Sequence, residues 1–256
     1  MRQFHAKTQR PKGSQSPEKV CAGSETTIGE SMICEMNKPT PLKLVRGTVI
    51  ALVILAISAL AVAQQKPKIS YGVLLDSTGS MRSQFPIVVQ IGKEIIHQTA
   101  PHGPVSIFDF ASDRTQKDWR ATTVARIEQS QDETELNRTI DGLYIEGGQT
   151  TLLDAIQLIS DRLQEWAPDS EKVIVVVSDG EDRVSKVKSK ELIQQLKDRK
   201  TKVFAVGLVR ELDSGKREKA TKLLTTLANE TGGRAVIPKG SRDTEDVLKE
   251  LAIPIE

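Results

Sequence analysis

Apolar residues follow two periods along this chain, and the period switches repeatedly after position 68. Ile69–Leu75 is a short apolar run ending at Asp76, the pattern of a buried strand. Ile87–His97 carries apolar residues at helical spacing, and Pro86 suits a first helical position. Val105–Phe110 reads as a second strand, and Trp119–Val124 as a weaker edge-strand candidate. Glu133–Leu143 predicts a short amphipathic helix. Thr151–Trp166 predicts a longer one, with Leu152, Leu153, Ile156, Ile159 and Leu163 on one face. Lys172–Val177 is apolar and β-branched after its lysine, as a central parallel strand buried on both faces should be. Lys188–Arg199 predicts a helix, Val203–Leu208 a buried strand, and Lys216–Asn229 a helix stopped by Gly232-Gly233. Arg234–Ile237 and Thr244–Leu251 read as a last short strand and a last helix. Strands separated by helices need crossover connections. The expected fold is therefore α/β: a doubly wound, mostly parallel central sheet flanked by helices. In such sheets ligands sit at the carboxyl ends of the strands.

A different pattern precedes this domain. Thr48 to Ala63 is sixteen residues without a charge. A spanning helix needs about 20 apolar residues, so the run is short for one and suits the core of a signal peptide. Lys38, Lys43 and Arg46 precede it, and Ala61-Val62-Ala63 gives a small-residue cleavage pattern. The segment is a signal peptide or an uncleaved signal anchor, and membrane attachment follows only from the second. Both readings place residues 64–256 outside the cytoplasm, whether periplasmic, secreted or anchored. Residues 1–35 are polar without an apolar period, and Met36 opens an ordinary n-region. They read as an upstream extension of the reading frame, with translation starting at Met36, or as a cytosolic tail. The expected organisation is 1–35 extension, 36–63 export segment and 64–256 a single α/β domain.

Composition narrows the function classes. Charged residues make up 27% and hydrophobic residues 38%, an ordinary globular balance. The formal net charge is +2, and residues 1–63 hold eight of the 36 basic residues but only four of the 34 acidic ones. The remaining domain is thus slightly acidic, which gives no footprint for nucleic acid. Aromatics at 4% offer no stacking platform for single strands. Cys21 and Cys34 both precede the domain, so no disulfide framework is expected in it.

Three segments at expected strand ends or loop-to-helix junctions carry candidate chemistry. They are Asp76-Ser77-Thr78-Gly79-Ser80, Gly147-Gly148-Gln149-Thr150 and Ser178-Asp179-Gly180-Glu181-Asp182. Carboxylates, hydroxyls and flexible glycines suit a hard divalent cation, which prefers oxygen ligands. Two aspartates just neutralise a 2+ ion, leaving it electrophilic toward one further carboxylate. Each piece alone also has a plain reading as an Asx-turn, a helix cap or an Asp-Gly turn. No phosphate-binding glycine loop appears. His97 and His102 have no cue tying them to a nucleophile. Glu181 and Asp182 read as a solvated loop rather than an acid/base pair. Arg183 to Lys190, with four basic residues, reads as a solvated helical face, or more sharply as a phosphate-binding patch.

Taken together, the segments resemble the metal-ion-dependent adhesion site of von Willebrand factor type A domains. Asp76-Ser77-Thr78-Gly79-Ser80 resembles their Asp-x-Ser-x-Ser motif. Residues 147–156 look like their loop carrying the site threonine, and 175–182 like their strand ending in the second aspartate. The likeness spans 69–251 and looks closest to secreted bacterial members. It implies Asp76, Thr78, Ser80, Thr150 and Asp179 as metal residues, with hydroxyls bound directly and aspartates able to act through water. Thr150 rather than Thr151 is implied because it stands four residues before Asp154. The departure is Thr78 where serine is usual: the oxygen is kept, but a methyl is added and χ1 is restricted. The resemblance implies one Mg2+ or Mn2+ and a non-enzymatic module that binds a protein ligand through an acidic side chain. Alternatives are a metal-dependent hydrolase and a scaffold that binds no metal. The oligomeric state is not indicated. If the export reading holds, N-terminal sequencing of the exported native protein should find Gln64 first; Met1 or Met36 would defeat cleavage at Ala63.

Overall fold

A computed structural model describes residues 69–112, 121–239 and 244–255, with only the backbone of 111 and 112. The expected extension 1–35, the export segment 36–63 and Trp119 lie outside the described residues. Six strands form one sheet: β1 (Ile69–Leu75), β2 (Val105–Ser112), β3 (Ala121–Ser130), β4 (Glu171–Ser178), β5 (Thr201–Gly207) and β6 (Ala235–Val236). Their spatial order is β3-β2-β1-β4-β5-β6. All neighbours are parallel except β2 and β3, which pair antiparallel through a bulged register. The helices are α1 (Phe85–Thr99), α2 (Glu133–Asp141), α3 (Leu152–Trp166), α4 (Ser189–Asp198), α5 (Ser214–Glu230) and α6 (Thr244–Leu251). None of the described helices is long and apolar enough to cross a membrane.

The strand expectations hold through the parallel part of the sheet. The edge strand differs: β3 runs to Ser130, well past Val124. Its residues alternate only weakly, because one edge faces solvent and much of the strand is half-buried. The basic run from Arg183 also departs from expectation. It is a loop up to Lys188 rather than a helical face, and α4 begins only at Ser189.

Two apolar cores lie on opposite faces of the sheet. One joins Val73 and Leu75 of β1, Val175 and Val177 of β4, and buried residues of α1, α2 and α6. The other joins Leu74, Ile174 and Val176 to α3, α4 and α5. Successive β4 side chains alternate between the two cores, so Val173–Val177 are all fully buried. Each such side chain contributes on the order of 1.5–3 kcal/mol.

The second core closes tightly over β1 at Gly72. A Cβ placed there would stand 2.4 Å from Ile159 Cγ2 and 3.3 Å from Leu163 Cδ1, so only glycine lets α3 lie this close to the strand. Gly72→Ala should therefore lower stability by about 1–3 kcal/mol. In an Ile159→Ala background the added methyl enters vacated space, and the cost should largely vanish. Urea unfolding of the four proteins of this cycle tests the contact; equal costs in both backgrounds would refute it.

Candidate functional site

Strand order reverses at β1, because β2 lies on one side of it and β4 on the other. The carboxyl ends of β1 and β4 therefore form a topological switch point, the place where this class of sheet binds ligands. Asp76 directly follows β1 and Asp179 directly follows β4. The Asp76 amide donates to the Val177 carbonyl at 2.9 Å, carrying the ladder one step into the loop.

The β1 loop folds around Asp76. Its Oδ1 accepts the Thr78 amide at 3.0 Å and the Thr78 hydroxyl at 2.7 Å. Its Oδ2 accepts the Ser178 hydroxyl. The Ser80 hydroxyl lies 3.2 Å from that of Thr78. Thr150 reaches in from the loop before α3, its hydroxyl donating to Thr78 Oγ1 at 3.3 Å. Thr151 turns away and donates to the Ala121 carbonyl. Asp179 accepts the Glu181 amide on Oδ1 at 2.9 Å, while its Oδ2 is buried without a hydrogen-bond partner. Of the five residues singled out from sequence, four are thus joined by hydroxyl and carboxylate contacts. Asp179 belongs to the same cluster through charge: it acts electrostatically on Asp76 and is itself influenced by the Ser80 hydroxyl.

Backbone bonds fix the loops relative to one another. The Glu146 amide donates to Ser77 O, the Arg183 amide to Thr150 O and the Leu208 amide to Ser178 O. The Gln84 side chain, buried at the start of α1, donates to Leu208 O at 2.9 Å. Gly180 allows the chain to turn directly after Asp179. Its φ is +76°, and a Cβ would stand 2.8 Å from Leu224 Cδ1, so both backbone and space call for glycine.

Burial dominates the electrostatics. It pushes Asp76 up to about 6, with the like charge of Asp179 adding to the rise and the Ser178 and Thr78 hydrogen bonds opposing it. Burial also raises Asp179, against the Glu181 amide and the Ser80 hydroxyl. Two buried carboxylates without a compensating cation are costly in their charged forms.

Several contributors lie beyond the five expected residues. Ser178 stands beside the second aspartate in sequence, but its hold on Asp76 depends on β1 and β4 being adjacent. Ser77 donates to the Phe110 carbonyl at 2.9 Å and accepts the Phe110 amide, anchoring the β1 loop to β2. Behind it, fully buried Asp109 takes Arg126 at 2.6 and 3.1 Å. Glu181 and Asp182 are not a solvated loop. Glu181 has a side chain only 10% exposed and pairs with Arg183 and Lys216. Burial works to raise its pKa, but these two cations outweigh it and hold the carboxyl below its usual range. Asp182 accepts the Ser185 hydroxyl, and Asp154 accepts the Lys186 and Val187 amides near 3 Å. Asp182 also accepts the Leu153 amide at 3.4 Å, so this bond and those to Asp154 tie the β4 loop to the start of α3. Asp182 and Asp154 lie 28 residues apart in sequence, so only the fold reveals this tie.

The raised Asp76 pKa has a stability consequence. A carboxyl at about 6 in the folded state and near 3.9 when unfolded keeps its proton longer on folding. Its contribution is most favourable at low pH and declines as pH rises through that window. In chelator, urea unfolding from pH 4 to 7 should show wild type losing about 2–3 kcal/mol relative to Asp76→Asn. Parallel pH profiles for the two proteins would contradict this.

The family profile of the von Willebrand factor type A domain matches residues 72–250. A search of curated proteins gives no match. Among solved structures, the conserved hypothetical protein BatB from Bacteroides thetaiotaomicron is similar with a TM-score of 0.54 and 14% identity, over 71% of this chain and 96% of that one. The pilus adhesin SpaC from Lactobacillus rhamnosus GG has a TM-score of 0.54 and 13% identity, over 73% of this chain and 29% of the adhesin. The manganese-loaded TRAP protein of Plasmodium vivax has a TM-score of 0.50 and 17% identity, over 72% of this chain and 71% of that one. At these identities the structural likeness concerns the fold. With the profile match extending from β1 into α6, this chain belongs to the von Willebrand factor type A domain family.

Proposed function

We propose that residues 64–256 form a non-enzymatic, divalent-cation-dependent protein-binding module of the adhesion type. The observation that carries this reading is the buried, unpartnered Oδ2 of Asp179, set in one cluster with Asp76 and the hydroxyls of Thr78, Ser80 and Thr150. A donor set made only of oxygens fits Mg2+ or Mn2+. Among the described residues no group of three or more His, Cys, Asp or Glu could hold a metal, so hydroxyls are needed to complete the set. Thr78, Ser80, Thr150 and Asp179 would hold the ion. Asp76, whose oxygens are engaged by Thr78 and Ser178, would orient the hydroxyls and supply charge. When bound, the cation supplies a Lewis-acidic position for an acidic side chain of a partner protein. Two proteins of similar fold, a pilus adhesin and a manganese-loaded protein, agree with this class.

Catalysis is the weaker reading. Asp76 is fully enclosed and its oxygens are turned to Thr78 and Ser178, which does not favour it as a base toward a substrate. The sequence pattern over 36–63 supports export, and with it an extracytoplasmic place for the module.

Metal should stabilise the folded domain. Mg2+ or Mn2+ at about 100 times its dissociation constant adds roughly 2.7 kcal/mol, which for a domain this size raises Tm by roughly 5–10 °C. EDTA should reverse the rise. Asp179→Ala and Ser80→Ala should lose the response while still melting cooperatively, because neither change opens a core. An unchanged wild-type Tm, with no heat of binding by calorimetry, would leave the metal-free scaffold as the better reading.

A further inference from the structure

Two depressions meet along the outer side of α5. The first, of about 150 Å³, is lined by Gly180, Glu181, Asp182, Lys216, Lys219 and Leu223, among others. The second, of about 300 Å³, is lined by Ser189, Ile193, Lys219, Lys222, Leu223 and Thr226. Lys219 and Leu223 line both, so together they make one groove between α4 and α5. Its near end is the loop that directly follows Asp179.

The groove has an apolar floor and a basic rim. Ile193 and Leu223 are only partly covered by the core beneath them. Lys216, Lys219 and Lys222 recur at intervals of three along α5, which places them on one side of the helix. Like charges at neighbouring positions on one helix face repel one another. Lys216 is offset by Glu181. Among the described residues Lys219 and Lys222 form no ion pair, and neither do Lys186, Lys188 and Lys190 on the segment leading into α4. The acids at the near end are already engaged: Glu181 by Arg183 and Lys216, and Asp182 by Ser185. Glu191 adds one exposed carboxylate to the first turn of α4, and Glu218 adds another on α5, four residues before Lys222. Along the rim Lys186, Lys188, Lys190, Lys216, Lys219 and Lys222 outnumber Glu181, Asp182, Glu191 and Glu218, against the slightly acidic balance of the domain as a whole.

We propose that this groove docks an acidic segment of the partner protein, in which carboxylates alternate with aliphatic side chains. The aliphatic groups would settle on Ile193 and Leu223, and the carboxylates would meet Lys219 and Lys222. One terminal acid would reach the Asp179 end. The proposal rests on the adhesion-type reading for that last contact only. Charge complementarity selects the occupant. The groove has no aromatic lining on which to stack bases, and its small volume and aliphatic floor fit side chains rather than a duplex.

The test is fluorescence anisotropy with a fluorescein-labelled peptide, Glu-Leu-Glu-Glu-Leu-Asp-Glu, and a Gln/Asn control of the same length. Binding is measured in Mg2+ and in EDTA for wild type, Lys219→Glu/Lys222→Glu and Ser80→Ala. The lysines are exposed on a helix surface, so the double variant should melt as wild type does. The acidic peptide should bind wild type and the control should not. The double variant should weaken binding at least tenfold, and Ser80→Ala should remove only the Mg2+-dependent part. Lysine-dependent binding that ignores EDTA supports the groove and overturns the metal reading. Mg2+-dependent binding that ignores the lysines does the reverse. No binding of the acidic peptide to wild type, or lysine-dependent binding of phosphatidylserine vesicles or duplex DNA in its place, overturns the groove proposal.

Discussion

The site depends on two carboxylates placed where neither has adequate access to water. Asp76 and Asp179 follow adjacent parallel strands whose register, with Leu75 opposite Val177, brings both loops out at one end of the sheet. A lone buried carboxylate costs several kcal/mol unless it is neutralised or well bonded. The surrounding chain answers that cost in different ways at the two positions. Asp76 is surrounded by donors: an amide and two hydroxyls. Asp179 receives one amide and keeps one oxygen bare. The asymmetry separates their roles, since a fully bonded carboxylate can only orient its neighbours, whereas a half-bonded one remains available to a ligand.

The hydroxyl content of the cluster matters for the same reason. Serine and threonine oxygens bring no charge of their own, so they add oxygen donors to the cluster without adding repulsion between the aspartates. Thr78 carries the most duty. Its hydroxyl donates to Asp76, accepts Thr150 and lies next to Ser80. The β-branched side chain has fewer χ1 options than serine, which favours holding one oxygen in one place.

Much of this was legible in the sequence, because the parallel strands are buried on both faces and read as continuous apolar runs. Ile69–Leu75 has the same limits in sequence and structure, and α3 begins one residue after its expected start. The edge strand β3 extends beyond its apolar signal because a strand packed on one side only has a diluted pattern. The motif segments are local, so Asp76, Thr78 and Ser80 could be found together. The partnership of Ser178 with Asp76, and of Asp182 with the start of α3, joins residues far apart in the chain and has no periodic signal. Glu181 misled for a related reason. An acidic loop reads as solvated until the fold brings Lys216 from a helix 35 residues away.

The three site loops share backbone hydrogen bonds, from Arg183 to Thr150 and from Glu146 to Ser77, and a further bond from Leu208 to Ser178 ties the end of β4 to that of β5. Each bond fixes a residue count as well as a position. Lengthening any one of these loops would shift its amides out of step with carbonyls on another. Such a framework resists diversification by insertion, the usual route by which surface loops acquire new specificity. Side-chain exchange on the surrounding helices meets no such constraint, because a substitution there changes the exposed surface and leaves the loop lengths untouched.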